Sequence, residues 1–428
     1  MSNNKLYESP LLCESYNEYK HPSGLTVFVF PKALSTTYAI MGVKYGSINN
    51  KFSIYGKKVT VPDGVAHFLE HKLFTNEDGS DSFERFAAYG ADANAYTSFN
   101  KTAYLFSCTD DYKSPLGELI DFVTHPYFTV ESIKSEIGII AEEAKMYDDS
   151  PSDRCFYGML KGMYKYHSIS HNICGSFDSI SQITPDMLYM CYNAFYNLDN
   201  MVLIVCGNVK PDEVYEIVDA HLPKVKMPFL TQTYNENKLE KMCVASGYVE
   251  CSMQLSKPIF NIGFKDTDIP ENAEDRQKRD ATMAILNEMI FSRAGELYNY
   301  LFERNIISPN LSYGYSITKD VAYNSVAGEA DDPRTVLSEI MKYIKSYKAS
   351  GLNRSDFMRG KKVMYSEFVK SFDSTDSIAN NLLAFFCDDA ELLSYAQIIE
   401  NVTFEDVCNQ FEKCFAPPSV TLSVVKPL

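Results

Sequence analysis

A repeat at an offset of about 220 residues constrains this chain more than any other feature. The helix-like run from Thr184 to Tyr196 precedes the apolar strand Met201-Val202-Leu203-Ile204-Val205, and Thr403 to Phe415 precedes Val420-Thr421-Leu422-Ser423-Val424, an offset of 403 − 184 = 219. Apolar residues fall at 188, 192 and 196 in one copy and at 407, 411 and 415 in the other, the spacing of one helix face. Met41-Gly42-Val43-Lys44 matches Ile262-Gly263-Phe264-Lys265 at 262 − 41 = 221. Ordered matches at nearly one offset predict two similarly folded halves. A length of 428 residues suits two domains. The boundary is expected in Leu222 to Asn237, where Pro223, Pro228, Thr231, Gln232, Thr233 and Asn235 break any periodicity, giving domains at 1–228 and 237–428.

Within the first half, Leu25 to Phe30 and Tyr38 to Tyr45 carry the β-branched and aromatic residues of strands. Asp81 to Tyr89 reads as a short helix. Ala93 to Phe99 and Thr102 to Cys108 flank Asn100-Lys101 as a hairpin. Leu116 to Val123 and Val130 to Met146 read as helices separated by His125-Pro126. Each half thus runs strands, helix, strands, helices, final strand, which predicts an α+β fold of two homologous domains, each a mixed, largely antiparallel sheet covered by helices.

Chemistry concentrates in Val61-Pro62-Asp63-Gly64-Val65-Ala66-His67-Phe68-Leu69-Glu70-His71-Lys72-Leu73-Phe74. On a helix His67 and His71 lie about 40° apart around the axis and about 6 Å along it, so both reach one metal ion. Glu70 flanks that face and addresses a water held there. The order H-x-x-E-H inverts the familiar H-E-x-x-H of metallopeptidases. A single histidine on a helix is usually packed or solvated, but this pattern arises by chance at roughly one position in 10⁵. Asp63 is the expected N-cap, with Ala66, Leu69, Leu73 and Phe74 at apolar helical spacing. The counterpart in the second half, near Ala284 to Met289, has apolar residues where the histidines would fall, so metal is expected in the first half only. The helix Val130 to Met146 carries Glu131, Glu136, Glu142 and Glu143, and its own spacing does not single out a third ligand.

Forty Lys and Arg against fifty-six Asp and Glu give a net charge of −16. That argues against a nucleic-acid surface and permits attraction of basic peptides. Eleven cysteines contain no C-x-x-C pair and an odd member, as expected of reduced thiols in the cytoplasm. The N-terminus lacks an apolar leader core, and there is no run of 18 apolar residues, so neither secretion nor membrane spanning is expected.

Pro62 to Phe74, Asn94 to Thr97 and Glu136 to Tyr147 resemble the pitrilysin or insulinase family of zinc peptidases, in the bacterial branch similar to mitochondrial processing peptidase subunits. The resemblance implies half of a clamshell, one zinc per chain, and a third ligand about seventy residues after the second histidine, with another glutamate seven positions before it. Glu143 and Glu136 meet that spacing, 143 − 71 = 72 and 143 − 136 = 7. His67, His71 and Glu143 are thereby implied as zinc ligands, with Glu142 the alternative to Glu143, Glu136 in support and Glu70 as general base. Ala93, Asn94, Ala95, Tyr96 and Thr97 resemble the family's substrate-binding edge strand, with Asn94 near the scissile carbonyl. The expected activity is endopeptidase cleavage of unstructured peptides; the alternative is a non-catalytic scaffold or assembly subunit. Many relatives supply an Arg and a Tyr, seven residues apart, from the second domain. Phe302 and Pro309 stand there in this chain, with Arg304, Tyr313 and Tyr315 nearby. A heterodimer with a homologous, zinc-less subunit supplying that pair is therefore expected, a homodimer being the alternative.

Overall fold

The computed structural model describes residues 4–225 and 240–428, and the backbone alone at 231–233. Most of the expected linker lies outside the described residues. One piece of it, Thr231–Thr233, pairs antiparallel with Lys51–Ile54, which in turn pairs with Lys57–Thr60.

The first sheet runs, edge to edge, Asn4–Ser9, Glu14–Lys20, Thr26–Pro31, Met201–Gly207, Thr37–Val43, Thr102–Cys108 and Asp92–Thr97. The second runs Tyr248–Met253, Val420–Pro427, Ile259–Asp266, Ala322–Glu329 and Leu311–Ile317. In each, the last strand of its half is inserted between the first two core strands. It is parallel to one (Thr26↔Val202; Tyr248↔Leu422) and antiparallel to the other (Ala39↔Val205; Phe260↔Val424). All remaining neighbours are antiparallel. The final strands start at 201 and 420 and the edge strands at 92 and 311, both 219 apart. The repeat is therefore a repeat of topology, and the class is α+β.

Thr37–Val43 and Met201–Gly207 are buried at every residue. Such strands need apolar cover on both faces. One face of the first sheet is covered by helices of its own half, among them Val65–Leu73, Lys113–Thr124 and Pro211–His221. Thr375–Cys387, from the second half of the chain, packs on Met201–Gly207 and Thr37–Val43. The exchange is mutual: Pro151–Met163, from the first half, packs on Val420–Pro427 and Ile259–Asp266. The matched glycines of the repeat make room for both. A Cβ on Gly42 would meet Leu383 of one helix, and a Cβ on Gly263 would meet Met159 and Met163 of the other.

The division at 1–228 and 237–428 describes the repeat, and the compact units cross it. One unit is Met1–Ala144, Asn172–Asn235 and Val369–Ser394; the other is Lys145–His171, Glu236–Phe368 and Tyr395–Leu428. Among the described residues no helix is long and apolar enough to cross a membrane.

Candidate metal centre

Every group considered for the metal lies in the first unit. The motif helix spans Val65–Leu73 and buries all its residues except His71. It does not start on Asp63, whose carboxylate instead accepts from Asn50 Nδ2 at 2.8 Å. It starts on Gly64 at φ 93°, where a Cβ would sit 2.6 Å from the Cys174 carbonyl oxygen. Close approach of the 172–175 turn thus dictates glycine where a side-chain cap was expected.

A buried helix carrying two imidazoles, a carboxylate and an ammonium must pair them. His67 Nε2 lies 3.5 Å from Glu143 Oε1, and His71 Nε2 lies 3.3 Å from Glu143 Oε2. On its other side His71 Nδ1 is 3.1 Å from Glu136 Oε1. Glu136 Oε2 accepts from Lys72 Nζ at 3.1 Å, and Lys72 also donates to Thr75 Oγ1 at 3.2 Å. Glu70 Oε2 accepts from Thr97 Oγ1 at 2.6 Å. His67 Nδ1, by contrast, is buried with no hydrogen-bond partner among the described residues.

Titration follows from these contacts. Burial pushes His71 down, but the hydrogen bonds to Glu136 and Glu143 and the charges of Glu70 and Glu136 win, raising it to about 9. Hydrogen bonds from His67 and His71 hold Glu143 well below the ordinary carboxylate range. Burial works to raise Glu136, and His71 and Lys72 outweigh it, so it is lowered. Burial raises Glu70 despite His67, Thr97 and His71.

The donor types, two imidazoles and a carboxylate, suit zinc, and among the described residues the three donors that lie mutually within 4.8 Å are His67, Glu143 and Cys174. Ligands about 2.1 Å from a tetrahedral zinc lie roughly 3.4 Å from one another, and the two imidazole-to-carboxylate separations, 3.5 and 3.3 Å, match that edge. Glu136 on Nδ1 of His71 fixes the tautomer whose Nε2 lone pair faces the site.

The edge strand Asp92–Thr97 pairs with Thr102–Cys108 on one side only. Thr97 bonds Glu70 on the metal helix, whereas Tyr96 donates to Asn380 Oδ1 of the Thr375–Cys387 helix at 2.8 Å. Strand alternation places Ala93 and Ala95 with Thr97 on the metal-helix face and Asn94 with Tyr96 on the opposite face. The fold therefore brings together His67, Glu70, His71, Glu136, Glu143 and Thr97, and puts Asn94 elsewhere. Asn94 is exposed, and its Oδ1 accepts from the Ala95 N–H at 2.8 Å. Glu142 is exposed on another face of its helix.

Two residues escaped the sequence reading. Lys72 is 3% exposed, and its only sequence signal is a lysine inside an otherwise buried helix. Cys174 has its Sγ 3.9 Å from His67 Nε2, and one donor atom each of His67, Glu143 and Cys174 lie within 4.8 Å of one another. Nothing in the order of residues connects positions 67 and 174.

Residues 53–176 match the model for Insulinase (Peptidase family M16), and residues 182–364 match that for the Peptidase M16 inactive domain. The uncharacterized zinc protease YmfH of Bacillus subtilis is 34% identical over 427 residues, 99% of either chain. An uncharacterized zinc protease of Rickettsia felis is 24% identical, over 96% of this chain and 97% of its own. The crystal structure of an M16-like peptidase from Alicyclobacillus acidocaldarius matches with a TM-score of 0.93 at 28% identity, covering 99% of this chain and 100% of that one. Pitrilysin shares the fold at a TM-score of 0.74 and 14% identity, this chain spanning 47% of its length. Full-length similarity above 30% identity, together with both family models, makes the chain a member of the insulinase family, peptidase family M16.

Proposed function

We propose that this chain is a zinc endopeptidase acting on unstructured peptides, with His67, His71 and Glu143 holding one zinc. The observation that carries this reading is the pair of Nε2 atoms set on the two oxygens of one carboxylate, with Glu70 one helical turn away. When bound, zinc supplies Lewis acidity, acidifying water and polarising a carbonyl. Glu70 takes the proton of the attacking water and returns it to the leaving amine. Burial raises its pKa toward the working pH, which suits both roles. Thr97 orients its carboxylate. An extended peptide adds to the unpaired edge of Asp92–Thr97, reading main chain more than sequence. Eleven free cysteines suit a reducing, cytoplasmic setting.

The reading includes a partner. In the second unit the Tyr313 hydroxyl donates to Glu288 and the Tyr315 hydroxyl to Asp266, each at 2.7 Å, and Arg304 lies over the Tyr300 ring. The nearby substitutes for the family's Arg and Tyr are thus committed elsewhere, and a homologous zinc-less subunit is the better source of oxyanion donors. A purely structural role is the second reading; we favour the peptidase because the match to an inactive domain covers residues 182–364, while the His67–His71 helix and Glu143 fall within the match to the peptidase model.

The test is zinc analysis of the purified chain, then cleavage of an unstructured peptide library, alone and with the homologous chain that co-purifies from the native cell. One zinc per chain is expected, with activity lost to chelators and to His67→Ala and raised by mixing far more than zinc occupancy. Absence of stoichiometric zinc, or a His67→Ala variant as active as wild type, overturns the peptidase. A homodimer that turns over rapidly and fails on replacement of Arg304 or Tyr313 overturns the heterodimer.

A further inference from the structure

Cys174 is built into the cluster by backbone packing. Gly175, at φ +73°, would place a Cβ 2.5 Å from the Asp63 carbonyl oxygen, while a Cβ on Gly64 would meet the Cys174 carbonyl oxygen at 2.6 Å. Two left-handed glycines thus lock the 172–175 turn onto the start of the metal helix. Asn172 Oδ1 accepts the Cys174 N–H at 2.9 Å and fixes the turn from within. The cysteine is 98% buried (2% exposed), and its sulfur points at His67 Nε2. The buried Cys155, by comparison, donates to backbone carbonyls of the second sheet.

Zinc bonds of about 2.1 Å to nitrogen and about 2.3 Å to sulfur set a tetrahedral N···S edge near 3.6 Å. The observed 3.9 Å is within a few tenths of that edge. Three protein ligands leave a catalytic zinc open, and a fourth closes it.

We propose that Cys174 is a fourth, displaceable donor, so that the site alternates between a closed His67–His71–Glu143–Cys174 resting set and the open set used for hydrolysis. On closure the S–H bond breaks, its proton passes to solvent, a sulfur–metal bond forms and a water leaves. Opening is the reverse, so no oxidant or reductant is needed. Soft divalent ions should favour the closed set.

The inference rests on the metal reading above, and cobalt separates the two. The full chain is stripped of metal and loaded with one equivalent of Co²⁺, and its near-ultraviolet thiolate-to-cobalt charge-transfer band is compared with that of Cys174→Ala and Cys174→Val. The band is expected in wild type and absent from both variants, whose zinc affinity should fall at least tenfold. Agreement of the metal-free variants with wild type in thermal unfolding would establish that they fold. Stoichiometric cobalt with no band, or a band that survives in both variants, overturns the Cys174 assignment and leaves the metal site standing. Failure of wild type to take up cobalt or zinc sinks the metal reading itself.

Discussion

Each unit sets a glutamate on the helix behind its edge strand, and the two are held in opposite electrostatic surroundings. In the first, Glu70 accepts from Thr97 on the edge strand, and burial raises its pKa. In the second, Glu288 of the Ala273–Phe291 helix accepts from Tyr313 on the edge strand Leu311–Ile317, but its other oxygen takes Arg359 Nη1 at 3.1 Å. The neighbouring Asn287 pairs with Asn324 as a neutral amide couple at 2.6 Å. Topology is therefore shared, and chemistry is decided by which counter-charge each carboxylate meets.

The widest separation should come from removing each charge in turn. Glu70→Gln is expected to keep one zinc per chain and to lower kcat/KM by about 10²–10⁴-fold. Glu288→Gln should leave kcat unchanged and cost about 1 kcal/mol of stability, since the pair it breaks is partly exposed. Metal analysis, peptide cleavage and urea unfolding of both variants decide it. Equal catalytic losses would break the contrast.

Two histidines sharpen it through pH. His71 is raised to about 9 by Glu136 and Glu143, whereas burial pushes His167 of the second unit down to about 4. A raised base stabilises the fold fully below its ordinary value of 6.5 and loses that contribution as pH climbs through about 9. A depressed base does the reverse: the unfolded chain takes its proton first, so stability falls as pH drops from 6.5 toward about 4. Each effect is on the order of 3 kcal/mol. Hydrogen exchange of the zinc-free protein, corrected for intrinsic rates, should show the first unit loosening above pH 7 and the second below pH 6. Zinc binding near pH 7.5 should release about one proton from His71, and a second from the Cys174 thiol where Cys174 closes the site. Loosening of both units at the same end of the scale would contradict these assignments.

What could be read in the sequence and what could not divides along the same physical line. His67, Glu70 and His71 were legible because helical geometry converts their spacing directly into position. Glu143 and Glu136 were legible only through the resemblance, since no local rule ties residue 143 to residue 71. The edge strand was legible as a strand, but its faces were not: Thr97 reaching Glu70 and Tyr96 reaching Asn380 turn Asn94 away from the cluster. Cys174 and the loss of Asp63 as a cap share one cause, a long-range contact between backbones that leaves only glycines as a trace. The helix exchange was hidden because uniformly buried strands announce that both faces are covered and not which part of the chain covers them.

That exchange yields the smallest expected difference and the most local one. The glycines matched by the repeat face helices of different character. A Cβ on Gly42 would lie 2.1 Å from Leu383 Cδ1, with Cδ2 at 3.0 Å and Cγ at 3.2 Å. Leu383 is fully buried and branched, so it cannot retreat without moving the Thr375–Cys387 helix. A Cβ on Gly263 would meet Met159 Cγ and Met163 Sδ, both at 2.7 Å, and Met159 Sδ at 2.9 Å. Unbranched thioether chains repack around such an intrusion. Gly42→Ala is therefore expected to cost about 1–3 kcal/mol, as overpacking does, and Gly263→Ala less than about 1 kcal/mol, read as midpoint shifts at constant slope in urea. Leu383→Ala should be destabilising alone by about 2–5 kcal/mol yet partly compensated by Gly42→Ala, because the new methyl occupies space that the leucine vacates. That coupling is the decisive quantity: a double-mutant cycle between 42 and 383 that closes to zero would mean the two do not touch, and the lent helix would no longer explain why the repeat keeps a glycine at both positions.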